Sequence, residues 1–358
     1  MKNAVISVIL ITLLIATAPL ISLVINSSEN TVVESNVTVV SDEKKVTEET
    51  TNKTATEITT KKEKSTATEE KIKTDNYSFK IYDEATDKII TVSDYDFCCG
   101  ALATEIETDI PKEAIKAQAI AIHTYYSYLR NNSRVENKEY DFKCNSKIWE
   151  TYVSKDELKE KWGETFEESY TIISDAVNEV SNTFILYNNN LCMTKYFEIS
   201  SGNTNSYKEI YNEDIPYLVS IPSPFDTVAN NYKTNKKFSK EEFDKIIKEK
   251  FPDYKSTDNM SKNISNITKN DYGTVLNIKL GNIETTGKEL ADALNLRSST
   301  FEISCSDNTY TFTTYGYGEN IGMSQFGACQ MAKQGNSYIE ILQYYYPNTT
   351  ISDNYKPI

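Results

Sequence analysis

Residues 103 to 126 read ATEIETDIPKEAIKAQAIAIHTYY, and the fold turns on how that stretch divides. Ile115, Ala119, Ile122, Tyr126 and Leu129 recur at alternating spacings of four and three, which lays one apolar stripe along a helix and predicts it over 112 to 131. Pro111 belongs in the first turn of such a helix, where its missing N–H costs nothing, and Asp109 is placed to cap it. Glu107 is expected to be solvated. Residues 94 to 106 read as a shorter helix, so Glu105 falls at its end, ahead of the helix carrying His123, the single histidine of the chain.

On the N-terminal side, YSFKIYDEATDKIITVS at 77 to 93 has two alternating runs around a polar turn and predicts a β-hairpin. On the C-terminal side, Ser154 with Glu157 and Ser239 with Glu242 fit capping boxes ahead of short helices. Thr165 to Val180 is amphipathic, with Tyr170, Ile173, Val177 and Val180 on one face. NTFILYNNNLCMTKYFEISSG at 182 to 202 reads as two strands around an Asn turn, and residues 259 to 282 read as β structure. Residues 322 to 347 give two short helices separated by Gly335. This order predicts an α+β domain in which helices and small antiparallel sheets surround a groove.

Ala4 to Ile25 is a run of 22 residues without a charge, long enough to cross a bilayer as a helix. A cleavable signal peptide competes, because Ala16-Thr17-Ala18 has the small-x-small form, but Pro19 directly after it disfavours cleavage. With Lys2 on one side and Glu29 and Glu34 on the other, the bulk of the chain is expected outside the membrane, as a single-pass protein with a cytoplasmic N-terminus. Residues 26 to 76, rich in Thr, Ser, Lys, Glu and Asn, cannot bury enough apolar surface to offset ordering and are expected to be a disordered tether. A coil of that length lets the domain at 77 to 358 reach roughly 40 Å.

A formal net charge of −14 without a clustered basic surface argues against nucleic acid as a partner. Cys98, Cys99, Cys144, Cys192, Cys305 and Cys329 form no CxxC pair and announce no disulfide framework. His123 and Cys144 fall short of a zinc ligand set, so no metal and no cofactor are expected. A Ser or Cys nucleophile would need the one histidine as base, and no GxSxG elbow or P-loop occurs. Carboxylate chemistry is left. A Glu in a partly apolar setting keeps its proton near neutrality, and Glu105, among Leu102, Ala103 and Ile106, has such neighbours, although a helix glutamate is ordinarily solvated.

From Gly100 through ALATEIETDIPKEAIKAQAIA, the chain resembles the stage II sporulation protein D family, whose pattern runs G-V-V-A-S-E-M-P, then E-A-L-K-A-Q-A-V-A-A-R-T. Glu105 aligns with the family's catalytic acid, and its spacing to Lys116 is kept. His123 stands where the family often has Arg. YFEISSGNTNSYKEIYNEDIPYLVSIPSPFD at 196 to 226, TTGKELADALNLRSSTFEI at 285 to 303 and GYGENIGMSQFGACQMA at 316 to 332 are similar to three further family blocks. Val219 replaces a frequent Lys, and Glu319-Asn320 replace His-Gly.

The resemblance implies a lytic transglycosylase that cleaves peptidoglycan glycan strands at the sporulation septum, with Glu105 as its single acid and base. Substrate contacts are expected from Lys116, Tyr187, Ser200, Ser201, Thr204, Tyr217, Ser324 and Gln325. Lys116 has a second reading as a solvated helix residue, and Ser324 and Gln325 as a helix N-terminus. Implied partners are an amidase resembling stage II sporulation protein P and a membrane protein resembling stage II sporulation protein M. The competing function is a non-catalytic wall-binding module akin to the amidase enhancers that share parts of this domain.

Overall fold

The computed structural model describes residues 77–355; the anchor expected at 4–25 and the tether expected at 26–76 lie outside them. Among the described residues no helix is long and apolar enough to cross a membrane.

The opening alternation forms its hairpin: β1 (Ser78–Asp83) pairs antiparallel with β2 (Lys88–Ser93). Ser93 then caps α1 (Asp94–Glu105) by accepting the Asp96 N–H. The long helix, α2 (Lys112–Val135), runs four residues past its predicted end. Asp109 does not cap it. Pro111 disfavours helical backbone at Ile110, so the chain enters extended, and the Pro111 carbonyl accepts the N–H groups of Ala114 and Ile115. Nor is α2 buried along one stripe only. Ala117, Ala121, Thr124 and Ser127 are buried as well, since small side chains let neighbours close in around the helix.

β3 (Phe142–Cys144) joins β1 in parallel, a register reached through the long crossover that α1 and α2 provide, so the sheets are not all antiparallel as expected. α3 (Lys155–Trp162) starts at the Ser154–Glu157 capping box, and α4 (Phe166–Glu179) buries Tyr170, Ile173 and Val177. β4 (Phe184–Tyr187) and β5 (Asn190–Leu191) turn through Asn188 and Asn189, at φ 50° and 62°, the left-handed pair a tight hairpin needs. β6 (Tyr196–Phe197) and α5 (Tyr207–Tyr211) follow.

Here the chain builds a second hydrophobic core. β7 (Lys233–Ser239), α6 (Lys240–Lys250), α7 (Met260–Asn263), β8 (Ile264–Lys269), β9 (Val275–Leu280), β10 (Ile283–Thr286), α8 (Gly287–Leu294), β11 (Phe301–Ser306) and β12 (Thr309–Tyr315) form two antiparallel sheets, β11-β12-β7 and β10-β9-β8, with α6 and α8 against them. Phe243, packed on Tyr310 with ring centroids 4.4 Å apart, centres this core.

The chain then returns to the first core. β13 (Met323–Ser324) pairs in parallel with β6, Met323 opposite Tyr196, and leads into α9 (Gln325–Lys333), α10 (Tyr338–Tyr345) and β14 (Thr350–Ser352), which adds to β4. Gly322, at φ 85°, makes that ladder possible: a Cβ there would lie 1.9 Å from the Lys195 carbonyl. α2 runs through the middle of the first core, against α1, α4, α9 and α10.

Candidate active site

Glu105 is the last residue of α1, so its side chain stands where the helix has just ended. Its side chain is exposed to water, yet burial by the surrounding protein is still the largest influence on the proton affinity of the carboxyl. That desolvation raises its pKa above the ordinary glutamate value, and the nearby Glu198 carboxylate raises it further. Two donors act in the opposite sense. Gln325 Nε2 lies 3.3 Å from Oε2, and Tyr196 Oη lies 3.5 Å from Oε1. Burial holds the Tyr196 phenol far above its normal range, so it stays protonated and donates. No basic side chain is among the groups acting on Glu105.

The two donors come from one piece of backbone architecture. Tyr196 opens β6, and Gln325 directly follows β13, its parallel partner. The register that sets Met323 opposite Tyr196 therefore delivers a phenol and an amide to the same carboxyl from opposite sides of a two-residue ladder. At its other end α1 is pinned to α2. Asp94 Oδ1 accepts from Arg130 Nη1 at 2.7 Å, and His123 Nε2 lies 3.3 Å from Oδ2. Burial pushes the Asp94 carboxyl up, but His123 and Arg130 outweigh it and hold it below the usual range. Arg130, two helical turns beyond His123, supplies a guanidinium to this end of the helix, with its charge over the Phe79 ring at 4.3 Å.

Of the side chains the sequence nominated, the structure brings Gln325 to Glu105 directly. The ammonium of Lys116 pairs with Glu113, lies 3.8 Å from Glu179 and stands 4.7 Å over the Tyr338 ring, in the seam between α2, α4 and α10. Tyr187 and Tyr217 pack ring against ring at 5.5 Å, and the Tyr217 hydroxyl accepts the Met193 N–H. Ser200, Thr204 and Ser324 are buried and committed inside the fold. Thr204 Oγ1 accepts the Ile221 N–H and donates to the Val219 carbonyl. Ser200 gives its N–H, and Ser324 its hydroxyl, to Asp226. Ser201 is half-buried and accepts from Asn320 Nδ2 at 2.8 Å.

Sequence reasoning gave no site role to four further groups, of which two act on Glu105. Tyr196 touches the acid. Glu198 crowds it, with Arg297 Nη2 3.9 Å from Glu198 Oε1. Asp226 gathers the serines. Glu319, standing in the signature where the family has His, is bonded by Lys195 at 2.7 Å and by the Tyr211 hydroxyl at 3.0 Å, and these partners hold its carboxyl below the usual range against burial. Asn320, the other departure, is buried and supplies the Ser201 contact, so the exchanged pair is built into the loop. His123 and Cys144 keep separate surroundings, the sulfur of Cys144 facing Asp83. No group of three or more His, Cys, Asp or Glu side chains is gathered as a metal site among the described residues.

Fold and site define a class: α+β domains that present a carboxyl at a helix end, between donors carried by paired strands. A family model described as stage II sporulation protein matches residues 82–187. The stage II sporulation protein D of Bacillus subtilis (strain 168) is 32% identical over 284 residues, 79% of this chain and 81% of that protein. Its counterpart from Bacillus amyloliquefaciens is 28% identical over 284 residues, 79% and 80% of the two chains. An amidase enhancer of Bacillus subtilis (strain 168) is 23% identical over 304 residues, 71% of this chain and 40% of the relative. The chain belongs to the stage II sporulation protein D family, a family of sporulation proteins.

Proposed function

We propose that this protein is a lytic transglycosylase acting on the glycan strands of peptidoglycan at the sporulation septum during engulfment. The observation that carries the reading is Glu105: a carboxyl open to a ligand, raised in pKa by desolvation, and contacted by two hydrogen-bond donors. Protonated Glu105 gives its proton to the glycosidic oxygen between N-acetylmuramic acid and N-acetylglucosamine as that C–O bond breaks. The muramyl C6 hydroxyl then attacks the oxocarbenium-like C1, and its proton passes to the Glu105 carboxylate, which regenerates the acid and leaves a 1,6-anhydro end. Tyr196 and Gln325 serve the charged half of that cycle, because donors to a carboxylate stabilise it once its proton has gone. No second carboxylate and no water are consumed.

Segment 4–25 would anchor the protein in the mother-cell membrane with the domain outside, and an amidase that strips stem peptides would act before it. The Glu198 carboxylate stands near Glu105, a poor match for the carboxylates of stem peptides, with Arg297 already drawn to Glu198 at 3.9 Å. The likeness to an amidase enhancer supports a second reading, a wall-binding module without turnover. The deciding experiment offers the protein intact sacculi, amidase-treated sacculi and peptide-free glycan, and reads the products by mass. Anhydromuramyl ends, released fastest from the peptide-free strands, are expected. Glycan binding without any cleavage would leave the enhancer reading, and faster release from intact wall would remove the partner amidase.

A further inference from the structure

Asp226, in the short 3-10 turn Pro224–Val228, is 0% exposed and has no cationic partner among the described residues, an arrangement that costs stability unless every lone pair is used. Its Oδ2 accepts the Ser200 N–H at 3.0 Å, and its Oδ1 accepts the Ser324 hydroxyl at 2.8 Å. The Ser223 hydroxyl also acts on it and lies 2.7 Å from the Tyr345 hydroxyl of α10; Tyr232 is the other titratable group nearby. Ser324 has a second task. Its Oγ accepts the Gly327 N–H at 3.0 Å and so caps α9, whose first residue is Gln325. A hydroxyl that accepts from a helix N–H must place its one proton elsewhere, and Asp226 Oδ1 at 2.8 Å is the nearer acceptor, the Glu198 carbonyl lying at 3.5 Å.

We propose that Asp226 is a positioning residue for the acid: by fixing the Ser324 hydroxyl it fixes the start of α9, and thereby the Gln325 amide against Glu105. A carboxylate suits this task and an amide does not. Both of its oxygens face donors, so an Asn would turn an N–H toward either the Ser200 N–H or the Ser324 hydroxyl. The inference rests on the reading of Glu105 as general acid. Since Glu105 becomes anionic as it gives up its proton, loosening Gln325 removes a donor from the charged form. Its titration then moves upward, and turnover falls while substrate binding is kept.

The test uses the full-length chain with its glutamates 13C-labelled at the carboxyl, the Glu105 signal being assigned by its loss in Glu105→Gln. Asp226→Asn and Gln325→Leu should each displace the Glu105 titration upward, and the double variant should displace it no further than Gln325→Leu alone. On peptide-free glycan, kcat should fall about tenfold with KM nearly unchanged, and the alkaline limb of the pH profile should follow the titration. Ser324→Ala should reproduce the displacement and Ser324→Thr should restore it, which tests the link even if Asp226→Asn does not fold. A folded Asp226→Asn or Ser324→Ala with the wild-type Glu105 titration, or additive shifts in the double variant, overturns the inference. Absence of product from the wild-type protein would remove the enzymatic reading, while the titrations would still decide whether Asp226 acts on Glu105.

Discussion

Arg130 and Asp94 meet at 2.7 Å across two helices, and the arginine side chain is 0% exposed. Asp94 opens α1 and Glu105 closes it, so this pair ties the far end of the helix that carries Glu105 to α2. Arg130→Met leaves the largely buried Asp94 carboxylate with His123 alone and should lower stability by about 3 kcal/mol at neutral pH, read from urea unfolding. The folded Asp94 pKa lies below its unfolded value, so its contribution is present above the unfolded value near ~4 and is lost as pH falls through the folded one. The gap between wild type and variant should therefore close on acidification below about pH 4. A gap independent of pH would show that packing, not the ion pair, is what the substitution removes.

Glu105→Gln keeps the shape of the side chain and removes its proton. Release of anhydromuramyl products should fall about 10³-fold, with the melting temperature and glycan binding close to wild type. A Gln variant that still yields the same product masses at the wild-type rate takes Glu105 out of the mechanism.

Turnover should be greatest on the acid side and decline as pH rises through the folded pKa of Glu105, since the donor must be protonated. Tyr196→Phe removes a donor that favours the carboxylate, so the decline should move to higher pH, with kcat reduced less than about tenfold. A limb that stays in place would mean the phenol at 3.5 Å has no hold on the acid.

Lys116→Ala should disturb packing more than chemistry. Its ammonium joins Glu113, Glu179 and the Tyr338 ring, none of which touches Glu105. Melting temperature should drop only modestly, as a partly exposed ion pair contributes little, while kcat/KM stays within about threefold. A loss of turnover close to that of Glu105→Gln would return Lys116 to the substrate groove.

Chelation should leave both turnover and melting temperature unchanged, because His123 is engaged by Asp94 and Cys144 faces Asp83. Stoichiometric zinc in purified protein, lost together with stability on chelation, would contradict this.

Where periodicity is long the sequence is readable: α2, the opening hairpin and the two serine capping boxes stand where pattern and cap chemistry put them. Tyr196 was hidden because β6 has two residues, too few for any alternation to register. Asp226 was hidden because SPFD reads as an ordinary turn, and nothing local reveals that residues far along the chain supply its donors. Ser200 and Thr204 were nominated for the groove by their place in a family block, but an irregular buried loop has backbone groups of its own to satisfy, and short hydroxyl side chains do that work. The second core escaped for a related reason: its strands are short and heavily polar, as in β8, and only their pairing shows which face turns inward.

The contact between Gln325 and Glu105 joins residues 220 positions apart, with the whole second core threaded between them. During vectorial synthesis the acid therefore emerges early and waits: until β13 and α9 have left the ribosome, Glu105 has neither its amide nor the strand that seats Tyr196. A chain cut short anywhere before Gln325 lacks the amide that contacts Glu105. The surroundings of Glu105 are in this sense completed late, well after the segment at 82–187 that the family model matches has been made.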